Sequence, residues 1–370
     1  MEEYSKLIET YKKASNFFYN NTINVDQKSK HWERRYNPLE INLDNLINFR
    51  KDRKLSHGLD DGKKDFPFKI YSDIINEISE EYVLKNLPKK NIGNNDILIN
   101  YKDVYIDFNK LIHIHWFHTI ENKILKQNKI SNVCEIGGGF GSFSELFLKN
   151  YNTRLLFIDL PEANLMASYY FKELYPQKKF YLFDDYLKNE ILTYEDFNKN
   201  DIIILPPNCN IDEKIKIDFF ANARSMMEMN HSVIKSYFDF IQKYSHKNTF
   251  FLNINRYEKT SMGFPIRISE YPYDNNWKVI ISKPSFNQNW IHFLLTQRTL
   301  ESNNANIIEE LSNIKKIGNK FYRKQSEYRP KYVILKKILR KILRIFLGVK
   351  FLNMIGNFLF KISNKLKNFK

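Results

Sequence analysis

The sequence is poor in cysteine: Cys134 and Cys209 are its only two thiols in 370 residues. Two cysteines cannot build a disulfide framework, so a disulfide-stapled domain is excluded. Both thiols stand in apolar, strand-like runs, where cysteine behaves as a small hydrophobic residue. We therefore expect two buried, unpaired thiols.

Long hydrophobic runs are also absent. No stretch approaches the ~20 apolar residues that a membrane-spanning helix needs. The amino-terminal residues, MEEYSKLIETYKK, lack the apolar region of a signal peptide. We therefore expect a cytoplasmic protein without a transmembrane helix.

Acidic residues are missing from positions 330–370, and this absence locates most of the chain's charge. The formal net charge is +16, and eleven Lys or Arg residues fall within this segment. The rest of the chain is only mildly basic, so the charge is mostly a property of the tail. We therefore expect no nucleic-acid partner.

The sequence does contain enough apolar residues for a folded enzyme, at 43% of 370 positions. Residues 1–110 combine a polar, helix-like start with turn signals at Gly58 and Gly62, which predicts a mainly helical accessory and substrate region. Residues 111–300 predict the catalytic domain. Residues 301–370 predict basic amphipathic helices.

Strand-like and helical runs alternate along the predicted catalytic domain, as expected for parallel strands joined by crossover helices. The seven strand-like runs are 132–136, 154–159, 179–183, 201–205, 248–254, 277–281 and 291–297. A short loop through Pro284 and Asn287 joins the last two, which favours an antiparallel hairpin. The pattern predicts an α/β fold with a doubly wound, seven-stranded Rossmann-like sheet.

A glycine-rich loop, EIGGGFGSF, follows the first of these strands, with Gly137, Gly139 and Gly141 at alternate positions. Glycine lets the backbone turn sharply and approach a ligand, and the following helix can direct N–H groups at it. A dinucleotide-binding loop needs its third glycine at position 142, where Ser142 stands. The observed pattern, acid-x-G-x-G-x-G with Glu135 as the acid, resembles motif I of class I methyltransferases.

Carboxylates at the ends of the next two predicted strands strengthen this interpretation. Asp159 ends the second strand, twenty-two residues after the first glycine of the loop, where an acid can accept hydrogen bonds from both ribose hydroxyls. Leu160 is the neighbour that we expect to contact the same cofactor, and Pro161 marks a helix start. Asp184 and Asp185 end the third strand, where a carboxylate can accept from an adenine amine; solvated turn residues are the alternative.

Glu135 lies at the end of a core strand, where a carboxylate is costly unless it is paired. It can cap the glycine loop, or it can hold the ammonium of the cofactor's amino-acid part, directly or through water. The second role is the one we expect.

Longer segments resemble a known family. EIGGGFGSF, FIDLPEANLMASYYF, and NARSMMEMN followed by VIKSYFDFI resemble the sugar O-methyltransferases of bacterial surface-polysaccharide gene clusters. The resemblance covers residues 40–300 and is looser before residue 110. It implies a class I methyltransferase fold, S-adenosylmethionine as cofactor, and methylation of a sugar hydroxyl in a sugar nucleotide or glycan. A nicotinamide-dependent sugar oxidoreductase and a non-catalytic membrane scaffold remain as alternatives.

Residues beyond the fourth predicted strand supply candidates for a catalytic base. Ligands bind beyond the carboxyl ends of the strands in doubly wound sheets, and a sugar hydroxyl benefits from a base that removes its proton. We predict Glu228 and His231 for this role; the ordinary alternatives are a helix cap and a surface position. His115 and His118, on the helix before the glycine loop, are second candidates.

Acceptor contacts are predicted at the end of the fifth strand and in the accessory region. Asn255 and Arg256 can hydrogen-bond a sugar or its phosphate, and Arg34 can do so from the other side. No compact His, Asp and Glu cluster in the sequence requires a metal, so we predict none.

The basic tail has an amphipathic pattern. On a helix at about 100° per residue, the apolar side chains of KYVILKKILRKILRIFLG fall within about 80° of one stripe, opposite the cations. The pattern repeats after Gly348, and its longest uncharged run is too short to cross a bilayer. Such a pair fits the anionic inner face of the cell membrane. The alternative is a helical hairpin packed on the enzyme or on a second subunit of a homo-oligomer.

Overall fold

A computed structural model gives the fold and describes residues 2–20, 41–51, 65–260, 264–299 and 306–326. Arg34 and the tail at 330–370, with the contacts predicted for them, lie outside these residues. The chain forms two compact units, Met1–Ile314 and Lys315–Lys370. The sheets belong to the first unit.

The regular elements are numbered here in chain order within the described ranges. The helices are α1 Glu2–Asn20, α2 Leu43–Ile47, α3 Asp65–Ile75, α4 Glu80–Asn86, α5 Phe108–Ile120, α6 Ser144–Asn150, α7 Pro161–Leu174, α8 Phe183–Tyr186, α9 Tyr194–Lys199, α10 His231–Tyr244 and α11 Ile307–Ser326. The strands are β1 Ile99–Tyr101, β2 Val104–Ile106, β3 Asn132–Ile136, β4 Arg154–Ile158, β5 Phe180–Tyr181, β6 Ile202–Leu205, β7 Ile217–Ala223, β8 Ser245–Arg256, β9 Trp277–Ser285 and β10 Gln288–Arg298. Strands β1 and β2 form a separate antiparallel pair.

The main sheet has the strand order β5-β6-β4-β3-β7-β8-β10-β9. Strands β3 to β8 pair in parallel, and β10 is antiparallel to both of its neighbours. The chain moves outward from β3 through β4, then returns to the other side of β3 at β7. Ligands bind in the crevice that such a reversal leaves at the carboxyl ends of the strands. The predicted α/β fold with a mostly parallel sheet is confirmed.

Within the described residues the main sheet has eight strands, so the prediction of seven is corrected by one. The missed strand is β7, whose sequence IDFFANA carries Asp218 and Asn222 within an apolar run. Asp218 accepts hydrogen bonds from the backbone N–H groups of Ser131 and Asn132, both at 2.8 Å. Asn222 is fully buried and donates to the carbonyl of Ile136 at 2.9 Å. Polar side chains with such partners can stay inside a sheet, although they hide its apolar pattern.

The additional strand changes the position of the segments around it. Strand β6 pairs with β4, so residues 202–205 form the third strand when counted outward from β3. Residues 180–181 form a short strand, β5, at the edge of the sheet. Residues 225–231 follow β7, directly beside the central strand β3, rather than the strand predicted at 201–205.

The central strands are buried on both faces. The sequences NVCEI, RLLFI and IIIL of β3, β4 and β6 are nearly continuous in apolar residues, as parallel strands covered by helices require. Helix starts follow local signals: Pro161 is the first residue of α7, as predicted, and Asp107 caps α5 by accepting from Lys110 N–H at 3.1 Å.

The predicted hairpin at the end of the sheet is present as β9 and β10. Ser285 pairs with Gln288 across a two-residue turn, and Asn287 in that turn has a φ of +51°. Pro284, expected in the loop, lies inside β9 instead. The position is tolerated because β9 is the edge strand, where a missing N–H breaks no ladder on the outer side.

The described parts of residues 1–110 share one core with the sheet. Leu7 of α1 and Phe49 after α2 belong to the same apolar cluster as Leu155 of β4. The hydroxyl of Tyr19 donates to the carboxylate of Glu162 on α7 at 2.9 Å. The boundary predicted at residue 110 therefore does not separate two compact units.

Within the described ranges, no helix is both long enough and apolar enough to span a bilayer.

Candidate functional site

The glycine loop joins β3 to α6 at the carboxyl end of the central strand. Gly137, Gly139 and Gly141 have φ values of +69°, +65° and +88°, a region that other residues rarely adopt. The N–H of Gly137 donates to the carbonyl of Ile158 at 2.8 Å and ties the loop to β4. The loop makes the sharp turn that its sequence predicts.

The three glycines face different surroundings. A side chain at Gly137 would overlap Ser225, and one at Gly141 would overlap the ring of Phe171. A side chain at Gly139 would meet no atom of the described structure within 4 Å. Gly139 therefore marks the open side of the loop, where a ligand can approach the backbone.

Asp159 lies beside this open side, at the end of β4. Its carboxylate accepts from the N–H of Gly139 at 2.8 Å and from the N–H of Leu160 at 2.7 Å. Burial raises the pKa of Asp159 to about 7, and the two N–H groups act against the rise. Leu160 is half-buried at the same end. Both residues lie where the sequence expects a nucleoside.

Glu135 lies beneath the loop. Its side chain is 1% exposed, and its carboxyl group accepts from the N–H of Ser144 at 3.2 Å and from the Ser144 hydroxyl. Gly138 covers it so closely that any side chain there would overlap the carboxyl group. Burial raises the pKa of Glu135 to about 8. Glu135 therefore caps the loop and the start of α6 from below, the alternative considered for it, and its contact with a cofactor ammonium stays a prediction.

Asp184 and Asp185 are not at the end of a core strand. Strand β5 ends before them, and both belong to the short helix α8. Asp184 accepts from Lys13 at 2.8 Å and from Thr10, both on α1. Asp185 accepts from the N–H of Leu182 at 3.1 Å. In the structure these carboxylates hold α1 and cap α8, and the adenine contact stays a prediction.

A largely apolar pocket lies beyond β4 and β6 instead. Its lining residues are Ile158, Leu205, Pro206, Pro207, Asn208, Cys209, Ile211, Val233, Ser236, Tyr237 and Phe240. The pocket adjoins Asp159, because Ile158 precedes that residue and the pKa of Tyr237 is raised first by burial and then by the charge of Asp159. Apolar walls next to one carboxylate suit a planar ring attached to a hydroxylated group.

Three asparagines on β7 and β8 are fully buried: Asn222, Asn253 and Asn255. The amide of Asn255 donates to the side-chain oxygens of Asn222 at 2.8 Å and Asn253 at 2.6 Å. Its own oxygen accepts from the N–H of Met227 at 3.1 Å. Both ends of the amide are used inside the fold. The prediction that Asn255 binds an acceptor is therefore corrected: it fixes the turn after β7.

Glu228 and Arg256 belong to one group of charged side chains. Glu228 pairs with Lys259, and the two side chains are 14% and 11% exposed. Burial lowers the pKa of Lys259, Glu228 raises it, and the charges of Arg256 and Arg224 lower it further. The structure therefore brings together two residues with separate predicted roles: Glu228, predicted as a catalytic base, and Arg256, predicted to bind the acceptor.

His231 lies apart from this group. It is the first residue of α10, it is exposed, and its ring stacks on Phe264 with the ring centroids 5.5 Å apart. The surface position considered as its alternative is the one that the structure gives.

A different histidine, His113 on α5, reaches the glycine loop. Its Nδ1 lies 3.2 Å from the hydroxyl oxygen of Ser142. Burial and the positive charges of Lys110 and Arg224 lower the pKa of His113 to about 3, so the imidazole is neutral at physiological pH. Lys110 is also buried, and donates to the carbonyl of Ser142 at 2.7 Å. These contacts bring the start of α5 to the site.

The other two histidines of α5 have different neighbours. His115 contacts Glu77 at 3.1 Å and stacks on Phe286, and His118 contacts Asn122 at 2.9 Å. Sequence reasoning missed His113 because its partner Ser142 is twenty-nine residues away. The available signal for His113 was its place on α5, the helix that precedes the glycine loop and whose start lies near that loop.

In the part of the chain that the structure describes, no group of three or more His, Cys, Asp or Glu side chains is arranged to hold an ion.

Comparison with known proteins gives weak similarities. No family model and no curated protein matches the chain. Among solved structures, the 1,6-didemethyltoxoflavin N1-methyltransferase of Burkholderia thailandensis, with bound S-adenosylhomocysteine, is 10% identical at a TM-score of 0.35, covering 52% of this chain and 80% of its own. A methyltransferase of Pyrococcus furiosus is 11% identical at 0.33, covering 51% and 83%. The mitomycin 7-O-methyltransferase is 12% identical at 0.31, covering 52% and 57%. Similarity of this size assigns neither a family nor a substrate.

Proposed function

We propose that this chain is an S-adenosylmethionine-dependent O-methyltransferase that methylates a sugar hydroxyl. The observation that carries the proposal is the pair formed by Gly139 and Asp159. Gly139 has open space on its ligand side, and its N–H donates at 2.8 Å to the carboxylate of Asp159 at the end of the neighbouring strand. Backbone N–H groups and a carboxylate at this point suit a nucleoside cofactor. Ser142, in place of a third glycine, favours this cofactor over a nicotinamide dinucleotide.

The residues at the open end of the loop fit S-adenosylmethionine along its length. Asp159 would accept from the ribose hydroxyls, the pocket beside Tyr237 would take the adenine, and the loop around Gly139 would face the amino-acid part. When bound, this cofactor would supply an electrophilic methyl group, and the acceptor oxygen would bond to the methyl carbon as the carbon–sulfur bond breaks. Open space at Gly139 is what allows the backbone to come close to it.

The chain's own part in the transfer is to position the acceptor oxygen and to take its proton. His113 is our candidate for the second task, because its neutral imidazole lies next to the loop. Its lowered pKa makes it a weak base, so the assignment requires that the bound acceptor raises this pKa. The carboxylate of Glu228 is already occupied by its pairing with Lys259. We therefore assign the proton transfer to His113 rather than to Glu228 or His231.

The cofactor part of the proposal is tested by isothermal titration of the full chain with S-adenosylhomocysteine and with NAD. We expect binding of the first and none of the second. NAD binding without S-adenosylhomocysteine binding would identify a sugar oxidoreductase instead. Binding of S-adenosylhomocysteine without methyl transfer to any of a panel of nucleotide sugars and glycans would favour a non-catalytic scaffold.

We also propose that residues 330–370 hold the enzyme at an anionic membrane surface. Support comes from the eleven cations of this segment and its amphipathic pattern. Each cation near such a surface contributes about 1 kcal/mol, and salt weakens this share. The full chain should float with anionic vesicles and less with neutral ones, and a chain ending at Tyr328 should not. If the shortened chain unfolds or loses an oligomeric state, the tail is a packing element.

A further inference from the structure

Three basic side chains start from one edge of the sheet. Arg224 directly follows β7, Arg256 ends β8, and Lys259 lies three residues further on. The two strands are neighbours, with Ala223 opposite Ile254. We call Arg224, Arg256 and Lys259 the cation cluster.

The cation cluster is largely shielded from water. Lys259 is 11% exposed, and burial lowers the pKa of both Lys259 and Arg224 below the usual values. Arg224 has a φ of +67°, a strained conformation of the kind that persists where function requires it. Its guanidinium donates to Asn109 of α5 at 3.2 Å, which directs the side chain towards the start of that helix.

The cation cluster carries more positive charge than the nearby described carboxylates balance. Glu228 pairs within the cluster, whereas the neighbouring Glu258 is paired with Arg267 at 2.7 Å. The charge of Arg256 lowers the pKa of Arg224 further, and the Nε of Arg256 is buried with no hydrogen-bond partner in the described part of the chain. Shielded cations of this kind are costly unless an anion joins them.

We propose that the cation cluster binds a phosphate group of the acceptor. This inference rests on the proposed function and narrows its acceptor to a phosphate-bearing sugar, such as one linked to a nucleoside diphosphate. Two guanidinium groups offer planar forks of N–H donors that match phosphate oxygens. Counted over the described residues, the three cations face one carboxylate and leave two positive charges. The diphosphate bridge of a nucleotide sugar carries two negative charges.

The position of the cation cluster suits this acceptor. Arg224 is close enough to His113 for its charge to lower the pKa of the imidazole. A phosphate bound at Arg224 would place the attached sugar near the imidazole and the glycine loop. The same anion would offset the charge of Arg224 and raise the pKa of His113 towards its ordinary value, which makes the imidazole a better base.

The carboxylate of the cofactor is the other anion that can reach this edge. The two possibilities differ in competition. A phosphate site for the acceptor binds its anion while the cofactor site is filled, whereas cations that hold the cofactor's carboxylate cannot bind phosphate at the same time.

The test is a titration of the full chain with inorganic pyrophosphate and with uridine diphosphate, each in saturating S-adenosylhomocysteine. Arg256→Gln removes one fork of the cluster. Lys235→Gln is the matched control, because Lys235 is exposed on α10, paired with Asp239, and outside the cluster. Losing a hydrogen bond between charged groups should weaken pyrophosphate binding by about 10–100-fold in Arg256→Gln. We expect changes within about twofold in Lys235→Gln, and unchanged S-adenosylhomocysteine affinity in both variants.

Equal pyrophosphate affinities in the wild type and Arg256→Gln would overturn the proposal. Displacement of S-adenosylhomocysteine by pyrophosphate, or loss of S-adenosylhomocysteine affinity in Arg256→Gln, would overturn it too, since the cations then hold the cofactor. If Arg256→Gln does not fold, Arg224→Gln gives the same readout. A wild-type chain that fails to bind S-adenosylhomocysteine would contradict the proposed function, while its pyrophosphate titration would still decide for or against the cluster.

Discussion

The two halves of the sheet's carboxyl edge have opposite chemistry. On the β4 side, Asp159 and Glu135 are carboxyl groups with raised pKa values, held by backbone N–H groups of the glycine loop and of the segments that follow it. On the β7 and β8 side, Lys259 pairs with Glu228, and the charges of Glu228 and Arg256 both act on Arg224. The β4 side, which we call the acidic half, accepts hydrogen bonds and suits neutral hydroxyls. The β7 and β8 side, which we call the cationic half, suits an anion. This difference in charge is what the two proposals require, a nucleoside cofactor on one side and a phosphate-bearing acceptor on the other.

The largest expected effect is that of replacing His113, which lies between the two halves. This replacement tests whether the two halves take part in the same reaction. His113→Gln should lower turnover by roughly 10²–10⁴-fold, because the acceptor proton loses its base. Binding of S-adenosylhomocysteine should stay within about threefold, since the change removes an interaction made in the transition state. Turnover and titration of the purified variant measure both.

His231→Gln is the matched control for this experiment, because His231 is exposed on α10 and stacks on Phe264. We expect its turnover to be near normal. A strong loss in His231→Gln with normal turnover in His113→Gln would restore the base predicted from the sequence.

The second prediction tests whether ionisation of the buried carboxyl groups in the acidic half lowers the free energy of unfolding. The pKa of Glu135 is about 8 in the folded protein, above its ordinary value of 4.5, so the unfolded chain loses this proton first. The free energy of unfolding should therefore fall as pH rises from about 5 to about 8, by at most about 1.4 kcal/mol per pH unit for this group. Asp159, with a pKa of about 7, adds a fall of the same sign.

Glu135→Gln should reduce this slope, and urea unfolding at pH 5, 6.5 and 8 measures it in both proteins. Equal slopes in the wild type and the variant would mean that Glu135 is ionised in the fold and that the acidic half carries a full negative charge.

The third prediction tests the ligand of the acidic half. Asp159→Ala should weaken S-adenosylhomocysteine binding at least about 10-fold, because a hydrogen bond to a charged acceptor contributes about 1.5–3 kcal/mol. Binding should also weaken as pH falls below about 7, since protonation removes the charge of the acceptor. Unchanged affinity in a folded Asp159→Ala protein would remove the ribose from this position.

The smallest expected effect separates Asp159 from the aspartates of α8. Asp184→Ala loses the contacts with Thr10 and Lys13, which should lower the free energy of unfolding by about 0.5–1.5 kcal/mol. Its affinity for S-adenosylhomocysteine should stay within about twofold, because the carboxylate faces α1. A tenfold weaker affinity would return Asp184 to the cofactor site.

The acidic half could be predicted from the sequence because its parts are local. Glycine at 137, 139 and 141 is required by positive φ values within one turn, and Asp159 ends an apolar strand that any periodicity analysis finds. The strand ends at 184–185 were misplaced because a second run of apolar residues, 202–205, takes the position beside β4. Sequence order alone does not tell which of two apolar runs lies at an edge.

The cationic half could not be predicted, because it depends on β7. Asp218 and Asn222 break the apolar pattern of that strand, and their partners lie more than eighty residues away in the chain. If β7 is missed, Arg224 and Glu228 are placed in a loop after the strand at 201–205. Nothing in the sequence then predicts that they lie near Arg256. Burial of polar residues by distant hydrogen bonds leaves no periodic signal.

Helix α1 has a consequence for the synthesis of the chain. Its buried residues, among them Leu7, Tyr11 and Phe18, pack where α7 forms, about 150 positions later, with Tyr19 bonded to Glu162. At ribosomal rates of 5–20 residues per second, this apolar face waits roughly 10–30 s for its partner. During that interval the apolar face of α1 stays exposed on the nascent chain. We therefore expect a strong dependence on chaperones during translation, which pulse-labelled synthesis with and without a holding chaperone would measure.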